Sequence, residues 1–328
     1  MHYILESSNP INVFSTRYYN YELELYAAQE KCPSRSANRY FKVYYEKDYA
    51  AIIKRIVGQA TNSRGGKTTK PVNDYTNEKE DAPAKTYGLF IATDEYAPHS
   101  NWQSLSNPIN DARSVSEILK EKYGVEIITY YNAKIDDVWK GMDELFDKIR
   151  EKDKLVVFIA GHGYYESKTG TAALPLSDSK SSYDDFRLTT YLEFSYLRQR
   201  LDNLPTKNVF AIFDVCFGAN FDANAHDLPI AQYESKLQDI DLVKFDDRMN
   251  EEKTRIFIAS GKYEVPDYWN NSLDHSPFAA KLIHGLKKEK QFVTPTKLYG
   301  YATANATKPE LKYFGQHHTH SDFVLKVR

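Results

Sequence analysis

Short apolar runs separated by helix-period stretches dominate the chain from residue 86 onward. Tyr87-Gly88-Leu89-Phe90-Ile91-Ala92, Leu155-Val156-Val157-Phe158-Ile159-Ala160 and Val209-Phe210-Ala211-Ile212-Phe213 are almost unbroken apolar runs. Such runs, ended by turn residues, read as strands of a sheet covered on both faces. Thr254 to Ser260 repeats the pattern, Glu126 to Tyr130 is a shorter strand, and Asp322 to Val327 is expected to be a last one. Helices fill the intervals. Val115, Ile118 and Leu119 make one apolar face, after Asn110-Asp111. Val138, Met142, Leu145, Phe146 and Ile149 make a second between Ile135 and Ile149. Further helices are expected over Leu188 to Leu204 and Ser276 to Leu286. Strands alternating with helices predict a three-layer α/β/α sandwich around a mostly parallel sheet of about six strands.

The first 85 residues differ. Residues 1–57 are rich in Tyr and Phe, with a strand-like piece at Tyr40 to Tyr45 and a helical spacing over Asp48 to Val57. This part reads as an N-terminal extension of unassigned role. Residues 58–85 are polar, carry Gly65-Gly66, Pro71 and Pro83, and read as a linker. The α/β domain is therefore expected over residues 86–328.

Composition narrows the function. The 43 Lys and Arg against 45 Asp and Glu leave a net charge of -2, which lacks the basic excess of a nucleic-acid binder. No run of 18 apolar residues is present, so no membrane span is expected. The start, Met1 to Ser7, has no signal-peptide pattern, and Cys32 and Cys216 are the only cysteines. A reducing, cytoplasmic setting follows as the expectation. Cys32 reads as structural or incidental.

The candidate chemistry sits just past two apolar runs. One breaks into Gly161-His162-Gly163 and the other into Asp214-Val215-Cys216-Phe217-Gly218. Ligands of α/β sheets bind at the carboxyl ends of the strands, so neighbouring strands would bring an imidazole and a thiol to one rim. Cysteine proteolysis needs a thiolate, a proton donor for the leaving amine, and amide donors for the oxyanion. Cys216 suits the first role and His162 the second, as general base and then general acid. The amides of Gly163 and Cys216 suit the third. The competing reading is a core cysteine near an unrelated histidine.

Together, Ala160-Gly161-His162-Gly163 and Asp214-Val215-Cys216-Phe217-Gly218 resemble the caspase and metacaspase cysteine peptidases, in their bacterial form. In caspases the His precedes the Cys by about 50 residues, and here the gap is 54. Leu89 to Ala92 leading to Asn110-Asp111-Ala112 resembles the first strand and helix of that group. Ile258-Ala259-Ser260 with His275-Ser276-Pro277-Phe278 resembles its small-subunit portion, and Asp322 to Leu325 its closing strand. The likeness spans Thr86 to Arg328. Asp-Val-Cys stands where caspases have Gln-Ala-Cys, which is the metacaspase-like choice.

That resemblance implies an acidic S1 pocket formed by Asp214 and Asp111, favouring Arg or Lys at P1 through charge-assisted hydrogen bonds. For Asp111, helix capping is the competing role. The implied activity is an intracellular endopeptidase acting on protein or peptide substrates through an acyl-enzyme. A catalytically silent caspase-like scaffold is the alternative. The family also suggests processing between Cys216 and Thr254, where Lys236, Lys244, Arg248 and Lys253 would fit the pocket. Arg64, Lys67 and Lys70 in the linker are a second set.

No cofactor or resident metal is expected. Calcium activates some metacaspases, but Asp239-Ile240-Asp241 to Asp246-Asp247 lacks ordered ligand spacing and reads as a solvated loop. His317, His318 and His320 lack a clear third ligand type, and His226, His275 and His284 read as surface or packing residues. Strand one is not followed by a glycine-rich phosphate loop, which disfavours a nucleotide-binding domain.

Overall fold

In the computed structural model, described residues are 82–228, 249, 251–261, 274–303, 308–318 and 321–328, with the backbone of 13–19 and 22–27. The chain forms two compact units, Met1–Glu78 and Lys79–Arg328. In the first, β1 (Val13–Tyr19) and β2 (Glu22–Ala27) pair antiparallel as a hairpin. The strand-like piece at Tyr40 to Tyr45, the helical spacing at Asp48 to Val57 and Cys32 lie outside the described residues.

The apolar runs of the second unit become the centre of its sheet. They form β3 (Thr86–Ala92), β4 (Glu126–Tyr131), β5 (Lys154–Gly161), β9 (Asn208–Val215) and β11 (Thr254–Ala259). These five strands are parallel, in the order β4-β3-β5-β9-β11. Beyond β11 lie two short antiparallel strands, β13 (Glu310–Tyr313) and β10 (His226–Asp227), making seven in all. Neither has an apolar alternation long enough to be read from sequence.

Alternate residues of each central strand serve opposite layers. Leu155, Val157, Ile159, Val209, Ala211 and Phe213 face one core, completed by helix α2 (Ile135–Lys148) and helix α3 (Phe194–Asp202). Val156, Phe158, Ala160, Phe210 and Ile212 face the other. That side is covered by α1 (Pro108–Tyr123), α4 (Pro277–Lys288) and α5 (Pro295–Ala302). The three-layer α/β/α sandwich expected from the sequence is the observed fold. No helix among the described residues is long and apolar enough to cross a membrane.

Two sequence expectations need correction. The helix placed at Leu188 to Leu204 begins only at Phe194. Leu188 has φ +54°, and the buried Asp185 carboxylate holds the backbone amides and hydroxyls of Thr189 and Thr190. Tyr191–Glu193 is instead β8, which joins β7 (Thr171–Pro175) and β6 (Tyr164–Glu166) in a small antiparallel sheet. The strand placed at Asp322 to Val327 is reduced to β14 (Leu325–Lys326). It pairs with β12 (Phe292–Val293), outside the main sheet.

Asp322, at the entry to that segment, is 5% exposed, and its carboxylate accepts the Phe323 amide at 2.7 Å. Burial pushes its pKa up to about 7, and the amide hydrogen bond only partly opposes this. The folded state thus holds this proton more tightly than the unfolded chain, whose carboxyl titrates near 4. Its contribution to stability is complete below pH 4, falls as the pH rises to about 7, and is flat above. The span corresponds to about 4 kcal/mol. Asp322→Asn is expected to flatten this slope in urea melts taken from pH 4 to pH 8. An unchanged slope would show that other groups set it.

Candidate active site

The register of the two central strands brings the sequence candidates together. β5 and β9 run parallel with Gly161 opposite Val215, so His162 and Cys216 are the next residues at the two strand ends. Both are half-buried at the rim. Gly161 turns the chain there with φ +146°, a conformation available mainly to glycine. Gly163 meets the Cys segment directly. A Cβ at this position would lie 1.7 Å from the Cys216 carbonyl oxygen, so only glycine permits the approach.

His162 is held from the loop that follows β3. Its Nε2 lies 2.8 Å from the Gln103 carbonyl, and its backbone amide donates to the Tyr96 hydroxyl at 3.0 Å. A carbonyl can only accept, so Nε2 carries the proton and Nδ1 remains the basic nitrogen. Tyr96 donates onward to the Thr93 carbonyl, and the rings of Tyr96 and Trp102 lie 5.2 Å and 5.1 Å from the imidazole. Asn132 fixes the base of the loop by accepting the amides of Asp94 and Glu95 and donating to the Asp94 carboxylate. None of these main-chain partners has a sequence signature.

On the Cys side, β9 ends in a tight turn. Phe217 adopts φ +60°, and residues Gly218–Phe221 form a single 3-10 turn. Phe221 anchors that turn against Phe213, Phe257 and Phe314, with ring centroids 4.5 to 5.3 Å away. The position of Cys216 is therefore set by an aromatic core directly beneath it.

The two acidic candidates meet around one residue. Asp214 continues the phase of Phe210 and Ile212 toward the α1/α4 layer, where Asp111 lies in the first turn of α1. Ser276 bridges them. Its hydroxyl donates to the Asp214 carboxylate at 2.5 Å, and its amide donates to the Asp111 carboxylate at 3.1 Å. The same hydroxyl accepts the Ala279 amide and caps α4, the role expected of a serine before proline at a helix start.

Asp111 is 1% exposed, and its other oxygen lies 2.6 Å from His275 Nδ1. Asn107, not Asp111, occupies the cap position of α1, so helix capping is not what the Asp111 side chain does. His275 is likewise no mere surface residue. Burial lowers its pKa, Asp274 works against that, and Lys287 adds to it. Its Nδ1 lies within hydrogen-bond distance of the Asp111 carboxylate, which requires the proton on that nitrogen. The serine-proline helix start was visible in the sequence, whereas the bridging of two distant carboxylates was not.

The remaining candidates fall elsewhere. Lys236, Lys244 and Arg248, the linker residues Arg64, Lys67 and Lys70, the acidic segment Asp239 to Asp247, and His320 lie outside the described residues. Lys253 is anchored. Its ammonium donates to the Asp202 carbonyl and Gln316, and its carbonyl accepts from the His318 amide and the Ser321 hydroxyl. Lys253 directly precedes β11, and these contacts hold its side chain and carbonyl against the fold. His317 Nδ1 accepts the Arg255 amide, and burial pushes its pKa down to about 4. Exposed rings of His226 and His284 pack on Tyr313 and Tyr301.

The site is thus the rim of an α/β domain whose parallel strands carry a histidine and a cysteine at adjacent ends. The family model described as the caspase domain matches residues 85–308, and the chain belongs to that family, whose general activity is that of a cysteine peptidase. Among solved structures it is similar to the crystal structure of caspase-1 from Spodoptera frugiperda. That likeness is 14% identical, covers 73% of this chain and 89% of the other, and has a TM-score of 0.43. Comparison with curated proteins gives no match.

Proposed function

We propose that residues 86–328 form an endopeptidase that cleaves after Arg or Lys through a Cys216–His162 dyad. The observation that carries this reading is the register of Gly161 with Val215, which sets the imidazole and the thiol on neighbouring strand ends. His162 Nδ1 takes the thiol proton, Cys216 Sγ attacks the carbonyl carbon, and the imidazolium returns the proton to the leaving amine. The thioester is then hydrolysed by a water that His162 deprotonates. The Gln103 carbonyl keeps the ring oriented and favours the imidazolium that forms between these steps. The amides of Gly163 and Cys216 stabilise the oxyanion. Asp214 and Asp111, gathered by Ser276, supply negative charge for a basic P1 side chain.

A fluorogenic panel varying only P1 tests the proposal, with turnover expected for Arg and Lys and none for Asp. Covalent labelling of Cys216 by an arginyl chloromethylketone is the companion measurement. The reading falls if neither Cys216-dependent turnover nor labelling is found. Gly163→Ala adds a sharper test. With a Cβ forced against the Cys216 carbonyl, the amide must move. Loss of an oxyanion donor lowers kcat by about 10²–10³-fold. Wild-type kcat in that variant would remove Gly163 from the mechanism. A reducing, cytoplasmic setting fits a catalytic thiol; fractionation of the source cells checks it.

A further inference from the structure

Two aromatic rings beside the dyad have no role in the chemistry above. Phe217 follows Cys216 directly and is held at φ +60°, an unusual conformation for a bulky residue. Tyr165 lies three residues after His162, on β6. The two rings stack with centroids 5.7 Å apart and planes 24° apart, and Tyr165 is 37% exposed.

Their placement relative to the carboxylates is fixed by the alternation of the strands. Asp214 shares the phase of Phe210 and Ile212, toward α1 and α4. The hairpin that carries Tyr165 belongs to the small sheet whose Ala172, Leu174 and Leu192 pack into the opposite core, with α2 and α3. The dyad therefore separates an acidic side from an aromatic side. Glu166, the acidic residue nearest in sequence, is turned to its own hairpin, where it accepts from Lys168 and from Tyr164. Among the described residues β6 pairs with β7 alone and is an edge strand of the small sheet.

The chemistry gives the direction. His162 must protonate the leaving amine, so the substrate on the carboxyl side of the scissile bond leaves over the segment that carries His162. Tyr165 lies on that segment. We infer that the Tyr165–Phe217 stack is the subsite for the residue immediately after the cleaved bond (P1′) and that it selects an apolar or aromatic side chain. The inference deepens the peptidase reading and rests on it. An aromatic residue laid on the stack gains ring contact and apolar burial that glycine cannot provide, and a charged residue is left without a partner.

Internally quenched peptides with Arg at P1 and Phe, Leu, Gly or Asp at P1′ provide the test. The expected kcat/KM for Phe exceeds that for Gly by about tenfold, with Asp lowest. Tyr165→Ala should bring the Phe-to-Gly ratio close to one, while Tyr165→Phe, which keeps the stack, should retain it. Cleavage after Arg with no P1′ preference in the wild type overturns the inference and leaves the peptidase reading standing. A preference that survives in a folded Tyr165→Ala does the same. If Tyr165→Ala does not fold, the wild-type preference and its retention in Tyr165→Phe decide. Absence of any Cys216-dependent cleavage removes the peptidase reading, and this subsite with it.

Discussion

Cys216→Ala and His162→Ala are each expected to abolish peptide cleavage, lowering kcat by about 10⁴-fold or more. In the proposed mechanism, alanine at 216 removes the attacking sulfur. Alanine at 162 removes the group that ionises it and later protonates the amine. Both side chains stand at the open end of the sheet, whereas the core below is built by Phe213, Phe221 and Phe257 and does not depend on them. Thermal melts of the two variants should therefore stay within a few degrees of the wild type, the scale of about 1 kcal/mol in a domain this size. The double variant should lose little beyond either single one, because residues that act as a unit are strongly non-additive. Steady-state hydrolysis of an Arg-P1 peptide beside the melts makes the measurement. Near-normal turnover by Cys216→Ala would mean that the thiol is not the nucleophile.

The legible and illegible parts of this chain differ in a physical way. β3, β5, β9 and β11 are buried on both faces, so almost every position must be apolar and the run stands out in the sequence. The closeness of His162 to Cys216 is legible for the same reason, since residues directly after such runs are carried to the rim by the strands themselves. β6, β8, β10 and β14 are two or three residues long and leave no periodic trace. Leu188 has the right spacing for the following helix, but its left-handed backbone and the Asp185 clamp prevent helix there. The hold on His162 runs through the Gln103 carbonyl, a group that every residue possesses, and through the Tyr96 hydroxyl, which only the folded loop after β3 brings to the His162 amide. Ser276 is an intermediate case. Its sequence context announces a helix cap, but its contact with two carboxylates depends on α4 packing beside α1, a tertiary fact.

Replacing Asp214 with alanine is expected to lower kcat/KM for Arg and Lys substrates by about 10²–10³-fold, with a much smaller effect on folding. Truncating one partner of a buried, hydrogen-bonded charge pair typically costs about 2–5 kcal/mol, largely because the other charge is left unmatched. In the proposed pocket the unmatched charge is the substrate guanidinium or ammonium. Asp214 is half-buried, and the Ser276 hydroxyl that donates to it retains the Ala279 amide when the carboxylate is removed. Asp111→Ala should act in the same direction but also lower stability, since it strands the His275 ring and the Ser276 amide in a buried site. Asp111→Asn lessens the confounding: its amide oxygen still accepts the Ser276 amide and its NH2 can donate to the other tautomer of the His275 ring, while the charge is removed. Ser276→Ala completes the series. It should cost about 1 kcal/mol of stability through the lost cap, and relax P1 selectivity because Asp214 is no longer held toward Asp111. The measurement is the P1 profile of each variant set against its urea midpoint. The three variants should lose discrimination between Arg and neutral residues in the order Asp214→Ala, Asp111→Asn, Ser276→Ala. A wild type that prefers Asp at P1 would reverse the sign of the pocket and overturn the argument at its root, because two carboxylates gathered around one serine disfavour such a side chain.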